Sequence, residues 1–198
     1  MKRNRINQRI GIFGGTFDPP HVGHLIIAEQ AVGQLRLDKL IFIPAFLPPH
    51  KRKGGQANPL QRLRMVRSAI KNYPKFAVSA MEIRRGGISY TIDTLRELQR
   101  RYPLARFYLI VGGDNFATLK SWKSVGDILN LASIVVYARS SHRQTKKSPK
   151  NRRIIHLRGA LLGVSSTMIR ERVKRGESIK FLTPETVRHF IERNKLYL

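Results

Sequence analysis

The sequence predicts a doubly wound α/β chain: a mostly parallel sheet flanked by helices, with a small helical end at the C-terminus. Three observations predict it. Short runs rich in Ile, Val, Phe and Tyr alternate with segments of helical periodicity throughout the 198 residues, the pattern of successive βα units. Several runs are almost continuously apolar, as strands covered on both faces by helices must be. No repeat and no linker rich in Pro, Gly or Ser divides the chain, so its length fits one domain over 1–198.

The elements follow in order. IGIF at 10–13 is the first strand, and Gly14-Gly15 the turn that ends it. Leu25, Ala28, Val32 and Leu35 then fall at helical spacing. LIFIP at 40–44 is the second strand, followed by a helix on Leu60, Leu63, Val66 and Ile70. FAVSA at 76–80 is the third strand, and a third helix after Thr91 carries Leu95 and Leu98. RFYLIV at 106–111 and SIVVYA at 133–138 are the fourth and fifth strands, with IIHL at 154–157 a weaker sixth. Helices over Ser165–Arg175 and Pro184–Asn194 make up the C-terminal end, residues 165–198.

Composition narrows the function. A hydrophobic share of 41% is globular and excludes collagen, coiled coil and wholesale disorder. Lys and Arg total 38 against 12 Asp and Glu, a net charge of +26, which points to phosphate-bearing partners or a crowded anionic environment without choosing between them. Neither 39–81 nor 128–170 contains an acid. The chain has no cysteine, which removes disulfides, thiolate nucleophiles and Cys-based zinc sites and predicts a cytoplasmic protein. Its basic N-terminus resembles the start of an export signal, but the apolar stretch Ile10–Phe13 is interrupted by Gly11 and too short for one. No window approaches ~18 uninterrupted apolar residues, so no membrane span is expected.

The charge raises a second function class, a basic nucleic-acid-binding module. Its most basic run, Arg139 to Arg158, contains no Phe, Tyr or Trp, so base stacking has no platform there. The run is expected to be a solvated loop outside the active site, with no specific nucleic-acid partner.

The segment GIFGGTFDPPHVGHL, 11–25, carries the most chemistry. Gly14 and Gly15 predict tight, positive-φ backbone that lets a phosphate approach peptide N–H groups. His21 and His24, three apart at a helix start, share one face where anions are favoured. The spacing matches neither GxGxxG nor the P-loop. A metal site needs more ligands than this stretch offers, since only Asp18 lies near. Ser165-Ser166-Thr167 followed by Arg170 reads as a capped helix start with a cation in the first turn, where the dipole disfavours it unless an anion lies alongside. VGGDNF (111–116) follows the best strand at the ligand-binding edge of an α/β sheet. There Gly112 and Gly113 permit close approach, and Asp114 can cap a helix or face a ligand.

The HVGH of residues 21–24 resembles the HxGH signature of a nucleotidyltransferase superfamily, and FDPPHVGHL is similar to the bacterial nicotinate mononucleotide adenylyltransferases. Further landmarks of that family stand in order: PPHK (48–51), ISYTIDTL (88–95), VGGDNF, Trp122, SSTMIRERV (165–173) and the ending LTPETVRHFIERNKLYL. The resemblance implies a Rossmann-like sheet and transfer of the adenylyl group of ATP to nicotinate mononucleotide in NAD synthesis, with nicotinamide mononucleotide as the alternative acceptor. By the same resemblance His21, His24 and Arg170 are catalytic. Gly14, Gly15, Thr16, Phe17, Gly112, Asp114, Ser166 and Thr167 surround ATP. Lys51 meets the mononucleotide phosphate, Trp122 stacks on the nicotinate ring, and main-chain N–H groups of Thr91 and Lys123 hold its carboxylate. Mg²⁺ comes with ATP, held by phosphates and water rather than by side chains. Oligomeric state is left open.

Overall fold

The computed structural model describes residues 7–49, 56–137, 153–159 and 163–198. Its strands are β1 (Arg9–Gly15), β2 (Lys39–Pro44), β3 (Phe76–Val78), β4 (Arg106–Gly112), β5 (Ala132–Tyr137) and β6 (Ile154–His156). They form one sheet in the order β3-β2-β1-β4-β5-β6, and every pairing is parallel. The expected mostly parallel sheet is thus parallel throughout its described strands. Strand order reverses between β1 and β4, which opens a crevice at their carboxyl ends.

The period-two alternation of side chains divides the core between the two faces. Phe13, Phe42, Tyr108, Ile110 and Val135 join one cluster with residues of α1 (Val22–Gln34), α2 (Pro59–Ile70) and α8 (Glu185–Arg193). Ile12, Ile41, Leu109 and Ile134 join the other with α4 (Thr91–Arg101) and α6 (Val125–Leu131). Both faces are covered, which accounts for the continuous apolar strands. The described set is completed by α3 (Met81–Arg85), α5 (Gly113–Ala117), a 3-10 turn at Leu119–Ser121 and α7 (Ser166–Lys174).

The two C-terminal helices lie where they were predicted, capped by Ser165 and Arg175 and by Pro184 and Asn194. Other expectations need correction. Gly14 and Gly15 continue β1 instead of turning it, and positive φ in this segment belongs to Phe17, at 51°. Leu60 is 57% exposed. The face of α2 it was expected to share is built from the expected Leu63, Val66 and Ile70 together with Arg62, Met65 and Ala69. Helices α3, α5 and α6 run for only five, five and seven residues, too short for periodicity to show. The basic run divides: 138–152 lie outside the described residues, while Ile154–His156 pair with Ile134–Val136 as a sheet edge. No helix among the described residues is long and apolar enough to cross a membrane.

Candidate active site

At the carboxyl end of β1 each residue type has a local reason. A Cβ on Gly14 would meet nothing within 4 Å, whereas one on Gly15 would lie 3.1–3.3 Å from the Phe17 ring. Gly15 therefore lets the left-handed Phe17 fold back onto the strand, where it is 2% exposed. His21 is the N-cap of α1, and its main-chain N–H donates to His24 Nδ1 at 3.1 Å. With Nδ1 accepting, the proton of a neutral His24 ring sits on Nε2. The two imidazoles lie 3.7 Å apart between centroids, tilted by 32°, and Phe17 meets the His24 ring in an edge contact at 5.0 Å. Gly23 completes the arrangement: a Cβ there would stand 3.0 Å from His21 Nδ1. The spacing His-x-Gly-His is thus a packing requirement as well as a chemical one.

Helix α7 docks against this turn. Ser166 Oγ donates to the Pro19 carbonyl at 2.8 Å and Arg170 Nη1 to the Asp18 carbonyl at 2.7 Å, while Arg170 Nη2 reaches Thr167 Oγ1 at 3.2 Å. Ser165 caps the helix by accepting from Met168 N–H. Arg170 is the fifth helical residue, not one of the first turn. The dipole conflict expected from sequence is therefore weaker, and its guanidinium is placed by the carbonyl of Asp18.

Two buried polar residues that the sequence reading gave no such role hold the turn. Arg62, 0% exposed, donates to three main-chain carbonyls: Thr16 at 2.8 Å, Phe46 at 3.1 Å and Ala57 at 3.2 Å. Burial lowers its pKa, opposed by the neighbouring Asp18 carboxylate and then Tyr197. Asp18, weighed above only as a metal ligand, accepts from Gln56 N–H, Ala57 N–H and the Tyr197 hydroxyl. The spacing of Arg62 to Met65, Val66 and Ala69 was the available signal, since it sets the arginine on the core face of α2.

A second group gathers where α4 begins. Thr91 opens that helix, and Ser89 Oγ accepts from Phe46 N–H at 2.9 Å. Lys123 Nζ stands 4.4 Å from the centre of the Tyr90 ring and 4.0 Å from Asp93. Trp122 packs against the second core cluster, and its indole N–H is buried without a partner among the described residues. Glu82, 7% exposed, accepts from Thr94 Oγ1 at 2.6 Å. Burial pushes its carboxyl above the usual carboxylate range, partly offset by the Thr94 and Ser89 hydroxyls and Arg85.

One cavity of about 890 Å³ joins the two groups. Its wall includes Gly14, Gly15, Thr16, Phe17, His21 and His24 from the β1–α1 turn, Ser166, Thr167 and Arg170 from α7, and Thr91, Trp122, Lys123 and Gly112. Of the predicted residues, Asp114 stands apart. It is exposed in the first turn of α5, whose cap is Gly112, and its neighbour Asn115 lines the wall instead. Lys51 lies outside the described residues. No three His, Asp or Glu side chains converge as a metal cage among the described residues.

Comparison with known proteins agrees with this geometry. The cytidylyltransferase-like family model matches residues 12–172. A probable nicotinate-nucleotide adenylyltransferase of Exiguobacterium sibiricum is 45% identical over 189 residues, 96% of this chain and 98% of that protein. A protein of the same description from Desulfitobacterium hafniense is 42% identical over 205 residues, covering 100% and 99%. Among solved structures, the nicotinic acid mononucleotide adenylyltransferase of Plasmodium falciparum complexed with NaAD superposes with a TM-score of 0.75 at 16% identity, covering 96% and 98%. That last likeness speaks for the fold alone. With the HVGH turn and the SSTMIR helix in one chain, and with curated relatives 45% and 42% identical over 96% and 100% of it, the protein belongs to the cytidylyltransferase-like family, in its nicotinate-nucleotide adenylyltransferase branch.

Proposed function

We propose that this chain transfers the adenylyl group of ATP to nicotinate mononucleotide, giving nicotinate adenine dinucleotide and pyrophosphate in the cytoplasm. The observation that carries this reading is the single cavity in which the stacked histidines and the α7 clamp meet the Thr91, Trp122 and Lys123 group. The volume suits two nucleotide-sized molecules held side by side. A phosphate oxygen of the mononucleotide attacks the α-phosphorus of ATP in line. The bond from that phosphorus to the bridging oxygen breaks, and pyrophosphate leaves with the electron pair.

The phosphate attacks as an anion, so no protein nucleophile is required and the work is positioning and charge neutralisation. His24, with Nδ1 engaged by His21 N–H, offers Nε2–H to the transferring phosphoryl group, and His21 supports it from the stacked position. Ser166, Thr167 and Arg170 hold the β- and γ-phosphates. Gly14 leaves open space for the nucleotide, with Gly15, Thr16 and Phe17 shaping the turn beneath it. On the β4 side the nucleotide contacts are Gly112 and Asn115, with Asp114 outside the wall. ATP enters as its Mg²⁺ complex, the ion being held by phosphates and water.

Pyrophosphate release, assayed with MgATP and each mononucleotide in turn, tests the reaction. Turnover is expected to favour the nicotinate acceptor, because main-chain N–H donors at Thr91 and Lys123 favour a carboxylate over an amide, and to stop on full chelation of divalent ions. Equal turnover of the nicotinamide analogue, or activity surviving chelation, would count against it.

Trp122→Ala should raise KM for the mononucleotide by about 10- to 100-fold and leave KM for ATP nearly unchanged, since ring stacking of ~1 to 3 kcal/mol is lost from one substrate only. Trp122 is the only tryptophan, so its fluorescence reports the same contact. Emission indifferent to saturating nicotinate mononucleotide would place the indole outside the acceptor site.

A further inference from the structure

We propose that Tyr197 is a positioning residue for the triphosphate clamp, acting through Asp18. Its hydroxyl donates to Asp18 Oδ1 at 2.7 Å, across 179 residues of sequence. The same carboxylate accepts from Gln56 N–H at 2.7 Å and Ala57 N–H at 3.2 Å. Asp18 in turn presents its main-chain carbonyl to Arg170, and the next carbonyl, that of Pro19, receives Ser166 Oγ. The 18–19 segment is therefore the surface on which α7 sits, and the phenol is the side chain that pins it from the C-terminal end.

Three features show that the chain is built to deliver this hydroxyl. Tyr197 is 8% exposed. Its φ is 69° and that of Lys195 is 47°, left-handed conformations that cost a non-glycine residue free energy and persist only where surrounding contacts impose them. The C-terminal part grips the same turn a second time, through the Leu182 carbonyl that receives Val22 N–H at 3.0 Å. Burial, then the adjacent Asp18 carboxylate, pushes the phenol well above its ordinary range, so it remains a donor at any working pH.

The consequence concerns ATP more than the acceptor. Without the phenol the 18–19 carbonyls sample other positions, and Arg170 and Ser166 follow them. Apparent affinity for ATP then falls by the fraction of molecules that keep the clamp assembled, about 5- to 10-fold for the loss of one ordinary net hydrogen bond. This inference rests on the reading of the cavity as an ATP site.

The experiment is direct binding of MgATP, without mononucleotide, to the wild type, Tyr197→Phe and Ile191→Val, each below the midpoint of its own thermal transition. Ile191 lies in the same core cluster and touches none of the clamp bonds, so it reports destabilisation alone. Tyr197→Phe should weaken MgATP about 5- to 10-fold with KM for the mononucleotide within about 2-fold, and Ile191→Val should bind as the wild type does. Asp18→Asn, which cannot accept from the phenol and both main-chain N–H groups at once, probes the bond from its other side and should weaken MgATP at least as much; it decides the matter if Tyr197→Phe does not fold. Wild-type affinity in Tyr197→Phe, or equal weakening in Tyr197→Phe and Ile191→Val, overturns the positioning role. A wild type that fails to bind MgATP overturns the adenylyltransferase reading itself.

Discussion

His24→Ala is expected to lower kcat about 10²- to 10³-fold while leaving a cooperative thermal transition, the usual consequence of removing one preorganised stabiliser of developing charge. The ring is preorganised on several sides. His21 N–H engages Nδ1, the His21 imidazole stacks at 3.7 Å, and Phe13 and Phe17 flank it at 5.9 and 5.0 Å. None of these contacts needs to form at the moment of reaction, so little reorganisation opposes phosphoryl transfer. The alanine variant also loses the bond from His21 N–H, a cost on the order of 1 kcal/mol to the start of α1. That loss is too small to unfold the chain. Steady-state rates and a thermal melt on one preparation separate the two effects. A variant that loses its cooperative transition, with normal turnover in whatever fraction stays folded, would show that the imidazole serves packing alone.

Much of this site was legible in the sequence because its residues sit at fixed offsets beside regular elements. The six apolar runs became the six strands, most plainly the inner four, where burial on both faces leaves an unmistakable composition; the edge strands β3 and β6 shrink to Phe76–Val78 and Ile154–His156. His21, His24 and Ser166 fell together because each belongs to a turn or helix start at the carboxyl edge of the sheet, which is where a doubly wound fold gathers ligands, and Arg170 joins them from the second turn of α7. What stayed illegible depends on contacts between distant segments. The left-handed residue was assigned to Gly14 or Gly15, yet Phe17 takes it, because Gly15 is needed to admit the Phe17 ring. Asp114 looked like a wall residue of its loop, but it is exposed in the first turn of α5 and Asn115 lines the cavity. Tyr197 and Asp18 lie at opposite ends of the chain, and no spacing within either segment announces their bond.

Arg62→Met should lower stability by on the order of 3 to 5 kcal/mol, the range seen when one partner of a buried charged network is removed. Methionine nearly matches the volume of the side chain, so the cost is polar rather than a cavity. The carbonyls of Thr16, Phe46 and Ala57 each lose a donor, and a buried acceptor left without one costs about 1 to 3 kcal/mol. Asp18, 3% exposed, also loses the cation beside it, though it keeps its bonds from Gln56, Ala57 and Tyr197. At roughly 2 to 4 °C per kcal/mol for a chain of this size, the melting midpoint should fall by about 6 to 20 °C. Because the three carbonyls belong to the β1–α1 turn, the exit of β2 and the approach to α2, the damage should concentrate where the cavity wall is made. Hydrogen exchange is therefore expected to quicken first at the amides of residues 16–18 and 45–47 while the centre of β4 stays protected. A melting midpoint within about 2 °C of the wild type would show that the guanidinium is exchangeable for apolar volume, and that the three carbonyls find other donors.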